Sequence, residues 1–300
     1  IMNIEDLDNL NSTEVVESLD FKKIFKDAYI NPSEKIIQQP VALSIGQKKY
    51  KGVYYPVPFG SYGDFSCLVG ASKSGKTFLK SALEAAYLGG SSWNYFESIK
   101  AHDNMNKVVV AFDTEQSRFH VQRVTQRVLE MVGNDDGRYN TFALRSYTAK
   151  ERLQFIDWVV YESDFRGNIG LMSIDGYADL LEDFNNLEES TKLTQKLLEW
   201  TANGKMHCTG ILHKNFGSDK PVGHIGSSVL KKSETSVFIE EDGDEKTVEC
   251  RYSRNIPFDN FKYAVDENTA LPYQVSIGDT MCKSQAVVNY DEIVKNNKGY

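Results

Sequence analysis

The chain has 300 residues, 41% of them hydrophobic and 25% charged, with a formal net charge of −8. This is the composition of a globular protein with enough apolar residues for a sizeable core. No apolar run approaches the roughly 20 residues that cross a bilayer, so no membrane partner is expected. The acidic balance weighs against one subunit binding nucleic acid through bulk positive charge, and leaves a local basic surface or a pore built from several copies.

Residues 1–21 are acidic and polar, without the basic start and apolar centre of a secretory leader. Val16, Leu19, Phe21, Ile24 and Phe25 predict an amphipathic helix over 13–29. Pro32, Pro40, Pro56 and Pro58 then punctuate extended chain, so residues 1–60 read as an N-terminal arm for oligomerisation or partner binding. A strand at 65–69 leads through a glycine-rich turn into a helix at 75–88. The polar stretch 89–106 reads as an excursion or lid. Strands at 108–112, 141–144, 171–174 and 208–212 then alternate with helices at 118–132, 150–163 and 188–201. That alternation predicts an α/β fold with a mostly parallel sheet and helices on both faces. Short β-rich runs at 236–240, 248–252, 261–265 and 273–277 predict C-terminal antiparallel strands extending one sheet edge. The nucleotide domain is expected over 61–280, with a tail at 281–300. Cys67, Cys208, Cys250 and Cys282 form no CxxC pair. They read as free thiols of a reducing compartment, and a cytoplasmic location is expected.

Four motifs carry chemistry. Gly70, Ala71, Ser72, Lys73, Ser74, Gly75, Lys76 and Thr77, followed by Phe78, match the pattern GxxxxGK[ST] in full, between an apolar strand and a helix. The glycines let backbone N–H groups converge on phosphate, and the helix N-terminus adds a positive dipole. ATP is the expected nucleotide, with Lys76 on its β- and γ-phosphates and the Thr77 hydroxyl on Mg²⁺. Asp175 ends the apolar run 171–174 and is the expected second magnesium ligand. Asp179, Glu182 and Asp183 follow in an acidic loop, as surface charge or an outer metal shell. In Phe112-Asp113-Thr114-Glu115, Glu115 is the candidate for orienting the attacking water, with Asp113 its competitor. The rival reading is an acidic helix N-terminus. His213 ends the run 208–212, placed either to sense the γ-phosphate or to sit satisfied at a strand end. The loop 214–228 offers Lys214, Lys220 and His224 to nucleic-acid phosphate.

GASKSGKT, FDTEQS, LMSIDG and ILHKN occur in the order found in the RecA/DnaB superfamily. With the tract 223–234 and Tyr252-Ser253-Arg254-Asn255-Ile256-Pro257-Phe258, the chain most resembles RepA-like hexameric helicase ATPases of plasmids and Bacteroides-type mobile elements, over roughly residues 60–275. The resemblance implies a RecA-like ATPase that couples Mg-ATP hydrolysis to work on nucleic acid, with Glu115 activating water, Asp175 on magnesium and His213 sensing phosphate. It implies a homo-oligomeric ring, expected to be a hexamer, with single-stranded DNA and a replication or mobilisation protein as partners. A basic residue among Lys232, Arg251 and Arg254 would reach a neighbour's ATP, with Arg254 the first candidate as an arginine finger. Two features depart from the family: Val222-Gly223 stands where an arginine is usual, and 89–106 is longer than the usual connection. The alternative is a loader or regulatory ATPase acting mainly on a protein.

Overall fold

The computed structural model describes residues 20–275, other than Phe216 and Asp219. The first seven residues of the predicted arm helix, the end of the last predicted strand, and the tail with Cys282 lie outside the described residues. The chain divides into two compact units, 1–38 and 39–300. In the first, α1 (Phe21–Ala28) is N-capped by Asp20, whose Oδ1 accepts from the Lys23 N–H at 3.0 Å. Phe21, Ile24, Phe25 and Tyr29 are all exposed.

The second unit opens with a β-hairpin, in the stretch read as extended chain punctuated by prolines. β1 (Val41–Tyr50) and β2 (Val53–Ser61) pair antiparallel. Pro56 and Pro58 are accommodated because β2 is an edge strand of a small sheet ordered β2-β1-β4, where a missing N–H is tolerated. The third strand, β4 (Ile99–Ala101), comes from the segment expected to be a lid. That expectation is corrected: Trp93, Phe96 and Ile99 are buried, and the Trp93 indole donates to the Met131 carbonyl at 3.1 Å. Aromatic burial anchors this stretch to the core.

The main sheet has six parallel strands: β3 (Phe65–Gly70), β5 (Val108–Asp113), β6 (Tyr139–Ala143), β7 (Ile169–Asp175), β8 (His207–His213) and β9 (Thr235–Asp242). Three antiparallel strands extend one edge: β10 (Glu245–Ser253), β11 (Phe261–Val265) and β12 (Pro272–Val275). The order is β12-β11-β10-β9-β3-β8-β7-β5-β6. This matches the expected fold class. Successive strand side chains point to opposite faces, so Leu68, Val109, Ala111 and Leu171 join one core. Cys67, Val69, Val110 and Met172 join the other. The first core packs under α2 (Lys76–Gly89), α3 (Arg118–Val132) and the small sheet. The second packs under α4 (Ala149–Tyr161), α5 (Leu187–Gly204) and α6 (Gly223–Lys232). β3, β8, β7 and β5 are neighbours, so their carboxyl ends bring Gly70, His213, Asp175 and Asp113 to one rim, where open α/β sheets bind ligands.

Candidate active site

The phosphate loop leaves β3 at Gly70. A side chain there would meet the Ser74 Oγ at 2.4 Å and the Ile239 carbonyl at 2.7 Å, so only glycine fits. Gly75 turns the chain into α2 at φ +91°. No side chain caps α2, which leaves its leading N–H groups for a ligand. The buried Ser74 Oγ has no hydrogen-bond partner. An uncapped helix start beside an orphaned hydroxyl is a cradle that fits an anion. Lys76 is buried. Its Nζ donates to the carbonyls of Gly70 (3.1 Å) and Ala71 (2.5 Å) and to the His213 Nδ1 (3.3 Å). Burial lowers its pKa, against the pull of Asp175 and Glu115.

One helical position on, the Thr77 hydroxyl donates to the Asp175 Oδ2 at 3.1 Å. Asp175 is only 2% exposed. Burial pushes its carboxyl up to about 6, assisted by Asp113 and Glu115 and opposed by Lys80 and the Thr77 hydroxyl. A hydroxyl and a carboxylate side by side form a hard-oxygen donor set that fits Mg²⁺. Among the described residues no cluster of three His, Cys, Asp or Glu forms a metal site. A magnesium ion shared with substrate phosphates and waters needs none.

Asp113 and Glu115 are placed differently. The Asp113 carboxylate is buried and accepts from the N–H of Glu115 (3.1 Å), the N–H of Gln116 (2.7 Å) and the Gln116 side chain (2.7 Å). It shapes the turn into α3. Glu115 is 55% exposed, with its Oε2 3.5 Å from the His213 Nε2. The Lys76 Nζ lies 3.3 Å from the Nδ1 of the same ring. Hydrogen bonding to His213 leads in holding the Glu115 carboxyl below its ordinary value, helped by the charges of His213 and Lys76 and opposed by burial. Both side chains line a cleft of about 780 Å³ with Ala71, Ser72 and Asn215.

Residues 56–218, more than half the chain, match a family model described as an AAA domain, AAA_25. The chain belongs to the AAA_25 family. Comparison with curated proteins gives no match. The crystal structure of the RadB recombinase superposes with a TM-score of 0.51 at 16% identity, covering 73% of this chain and 94% of that one. At that identity the likeness speaks for the fold, which is RecA-like. The AAA domain is therefore a P-loop ATPase of RecA-like architecture.

Several residues that shape the AAA_25 site have no motif to announce them. The Thr114 hydroxyl lies 2.6 Å from the Asp175 carbonyl and 2.8 Å from the Asp179 Oδ2, bracing the turn that carries Glu115 against the one after β7. Asp179 is thereby committed to that brace. Behind Asp175, buried Lys80 sits 3.1 Å from the Glu84 Oε1 and 4.0 Å from the Asp175 Oδ2. Glu84 also accepts from the Ser173 hydroxyl and, at 2.9 Å, from the Tyr139 hydroxyl. From the antiparallel strands, the Tyr263 hydroxyl donates to the Gly75 carbonyl at 2.8 Å. A side chain at Gly75 would also meet the Lys246 Cγ at 3.3 Å.

The last six residues of the stretch read as a loop over 214–228 are helical, because α6 starts at Gly223. Gly223, at φ +60°, passes too close to the Phe184 carbonyl for any side chain. The Lys214 Nζ lies 3.2 Å from the Glu240 Oε1. Of the three C-terminal basic candidates, Arg254 and Lys232 lie together at the sheet end opposite the phosphate loop, whereas Arg251 reaches Glu240, next to the Ile239 that flanks Gly70. Arg251 bonds Glu249 and Glu240 and stacks on Phe238. Arg254 pairs with Asp64 at 2.8 Å and donates to the Lys232 carbonyl, in place of the Asp259 or Glu267 a surface pairing would suggest. Lys232 lies in the last turn of α6. Among the described residues no helix is long and apolar enough to cross a membrane.

Proposed function

We propose that this chain hydrolyses Mg-ATP as one subunit of a homo-oligomeric ring of six copies. Its work is that of a RepA-like replicative helicase or DNA-remodelling ATPase of a mobile element, acting on single-stranded DNA beside a replication or mobilisation protein. The observation that carries the reading is the Glu115–His213 pair on the cleft, with His213 bonded in turn to Lys76. A carboxylate held ionised at neutral pH beside the phosphate cradle is suited to orient water in line with a γ-phosphate.

Thr77 and Asp175 would hold Mg²⁺, which when bound would supply positive charge to offset that of the phosphates. Lys76 would exchange its bonds to Gly70, Ala71 and His213 for phosphate oxygens. His213 then loses its lysine partner. That change can reach the following loop, because the Val222 N–H donates to the His213 carbonyl at 2.9 Å and the Lys214 N–H to the Gly70 carbonyl at 3.0 Å. α1, with its exposed Phe21, Ile24 and Phe25, would dock on a neighbouring copy, and Arg254 would act on a neighbour's phosphates.

A loader or regulatory ATPase acting on a protein is the second reading, favoured by the net charge of −8 and by the carboxylate partners of Lys214 and Arg254. Turnover measured with and without single-stranded DNA, alongside mass in solution, separates the two. Stimulation of an oligomer supports the motor, and an unresponsive monomer supports the second reading.

A further inference from the structure

We infer that the tip of the β1–β2 hairpin is a contact for single-stranded nucleic acid. The proposal rests on the nucleic-acid reading above and adds a surface that the four nucleotide motifs do not include.

The hairpin has a fixed geometry. Tyr50 and Val53 are its last pair, and Lys51 (φ +47°) and Gly52 (φ +87°) make the two-residue turn between them. Positive φ at both central residues gives the tight turn whose twist matches the strands. Side chains near the tip therefore keep a set register. Lys49 stands opposite Tyr54 with its ammonium 5.4 Å from the ring centre, and the Lys51 ammonium lies 5.4 Å from the centre of the Tyr50 ring. Two cations are thus held against two aromatic faces.

The local charge runs against that of the chain. Residues 47–55 carry Lys48, Lys49 and Lys51 and no acid. Lys48 is bonded to Asp259, which ties the hairpin to the loop between β10 and β11. Lys49 and Lys51 are exposed, without a carboxylate partner among the described residues. Tyr50 is 61% exposed, and Val53 beside it is exposed as well. Lysine supplies phosphate contacts and tyrosine a stacking platform, the two components of single-strand binding. Duplex DNA keeps its base faces stacked within the helix, so the exposed Tyr50 ring favours unpaired bases. The loop after β8 is less well equipped, since Lys214 already faces Glu240.

The test uses the full chain with a non-hydrolysable ATP analogue and a fluorescent oligo-dT, its anisotropy followed at several salt concentrations. In the double variant Lys49→Ala, Lys51→Ala, the slope of log affinity against log salt should fall by about 1.4, the loss of two single-strand phosphate contacts. Tyr50→Ala should weaken binding on the order of 10-fold with the slope kept, and Tyr50→Phe should bind as wild type does. Melting temperature and DNA-free turnover should stay unchanged in all three. If wild type binds and the variants match it in affinity and slope, the hairpin contact is overturned and the nucleic-acid reading stands. If wild type fails to bind oligo-dT at low salt, both fall.

Discussion

Replacing Lys80 by methionine removes the one cation that faces two buried carboxylates. The Lys80 Nζ lies 3.1 Å from Glu84 and 4.0 Å from Asp175, and the lysine side chain is 2% exposed. Burial works against its charge, but Glu84, Asp175 and Asp113 outweigh burial and hold its pKa above the ordinary lysine value. Removing one partner of a buried pair costs about 3–5 kcal/mol, because the other charge stays behind uncompensated. Two carboxylates lose the same cation here, which places the expected cost in the upper half, about 4–5 kcal/mol. For a domain of this size each kcal/mol moves the melting temperature by roughly 2–4 °C, so a fall of roughly 8–20 °C follows. The double variant Lys80→Met, Glu84→Gln removes the cation with one anion, and the glutamine carbonyl can still accept from Ser173 or Tyr139. It should recover about 1–3 kcal/mol relative to additivity. The assay is urea unfolding followed by circular dichroism, in magnesium-free buffer so that bound metal does not mask the repulsion. A Lys80→Met protein within about 1 kcal/mol of wild type, or a double variant that shows simple additivity, would refute the idea that this buried cation compensates both carboxylates.

Lys76→Ala should abolish nucleotide binding or turnover and leave the far-ultraviolet spectrum intact; wild-type turnover would remove the phosphate loop from the mechanism. Glu115→Gln should bind Mg-ATP and hydrolyse it on the order of 100-fold more slowly. Asp113→Asn should instead act on stability, through the turn that Asp113 holds, and a reversed pair of phenotypes would exchange the two roles. Asp175 gives a pH dependence: its folded pKa, raised from 3.8 to about 6, means the folded state binds the extra proton. Its contribution therefore lowers stability as pH rises from about 4 to 6. Mg-ATP affinity should move the other way, weakening as pH falls through about 6, and calorimetric titration of Asp175→Asn should show no such step. Mixing Arg254→Ala with Lys76→Ala subunits should restore part of the activity if Arg254 serves a neighbour. Failure to recover in subunits shown to co-assemble returns Arg254 to its own chain.

The parallel half of the fold was legible because buried strands read as continuous apolar runs. β5, β7 and β8 each run apolar into the polar residue that faces the rim, Asp113, Asp175 and His213. The phosphate loop was legible for a local reason, since its whole residue pattern lies within eight consecutive positions between a strand and a helix. What escaped depended on distant partners. β2 was read as extended chain of an arm and not as a paired strand, because its prolines are tolerable only on an edge strand, and edge position is a property of the sheet. Lys80 and Glu84 have the i,i+4 spacing of a surface pair, and only the packing of α2 on the sheet buries them. Tyr263 reaches Gly75 across 188 residues of sequence, through strands whose pairing cannot be read from their own pattern. α6 was hidden by its glycines: Gly226 packs against Pro221 and Gly223 against Phe184, contacts that override a weak helix propensity.

The antiparallel edge sorts the basic residues of the C-terminal strands by sheet end. β9 runs parallel to β3, with Thr235 beside Ser66 and Ile239 beside Gly70. β10 returns antiparallel, so Ser253 pairs with Thr235 and Val248 with Ile239. Its first residues therefore lie at the phosphate-loop end and its last at the opposite end. Lys246 falls in the first group, with its Cγ packed close to Gly75. Arg254 falls in the second, with Asp64 at the entry to β3. Distance from its own phosphate loop is the condition a residue must meet to act only on a neighbour. The Asp64 pair does not forbid that role. The Arg254 side chain is 49% exposed and that of Asp64 23%, so the guanidinium is open to solvent on one side while its partner is half-buried. If Arg254 serves a neighbour as proposed, a lone subunit would keep the guanidinium paired and hydrolysis would depend on the assembly, as expected for a ring whose subunits contact head to tail.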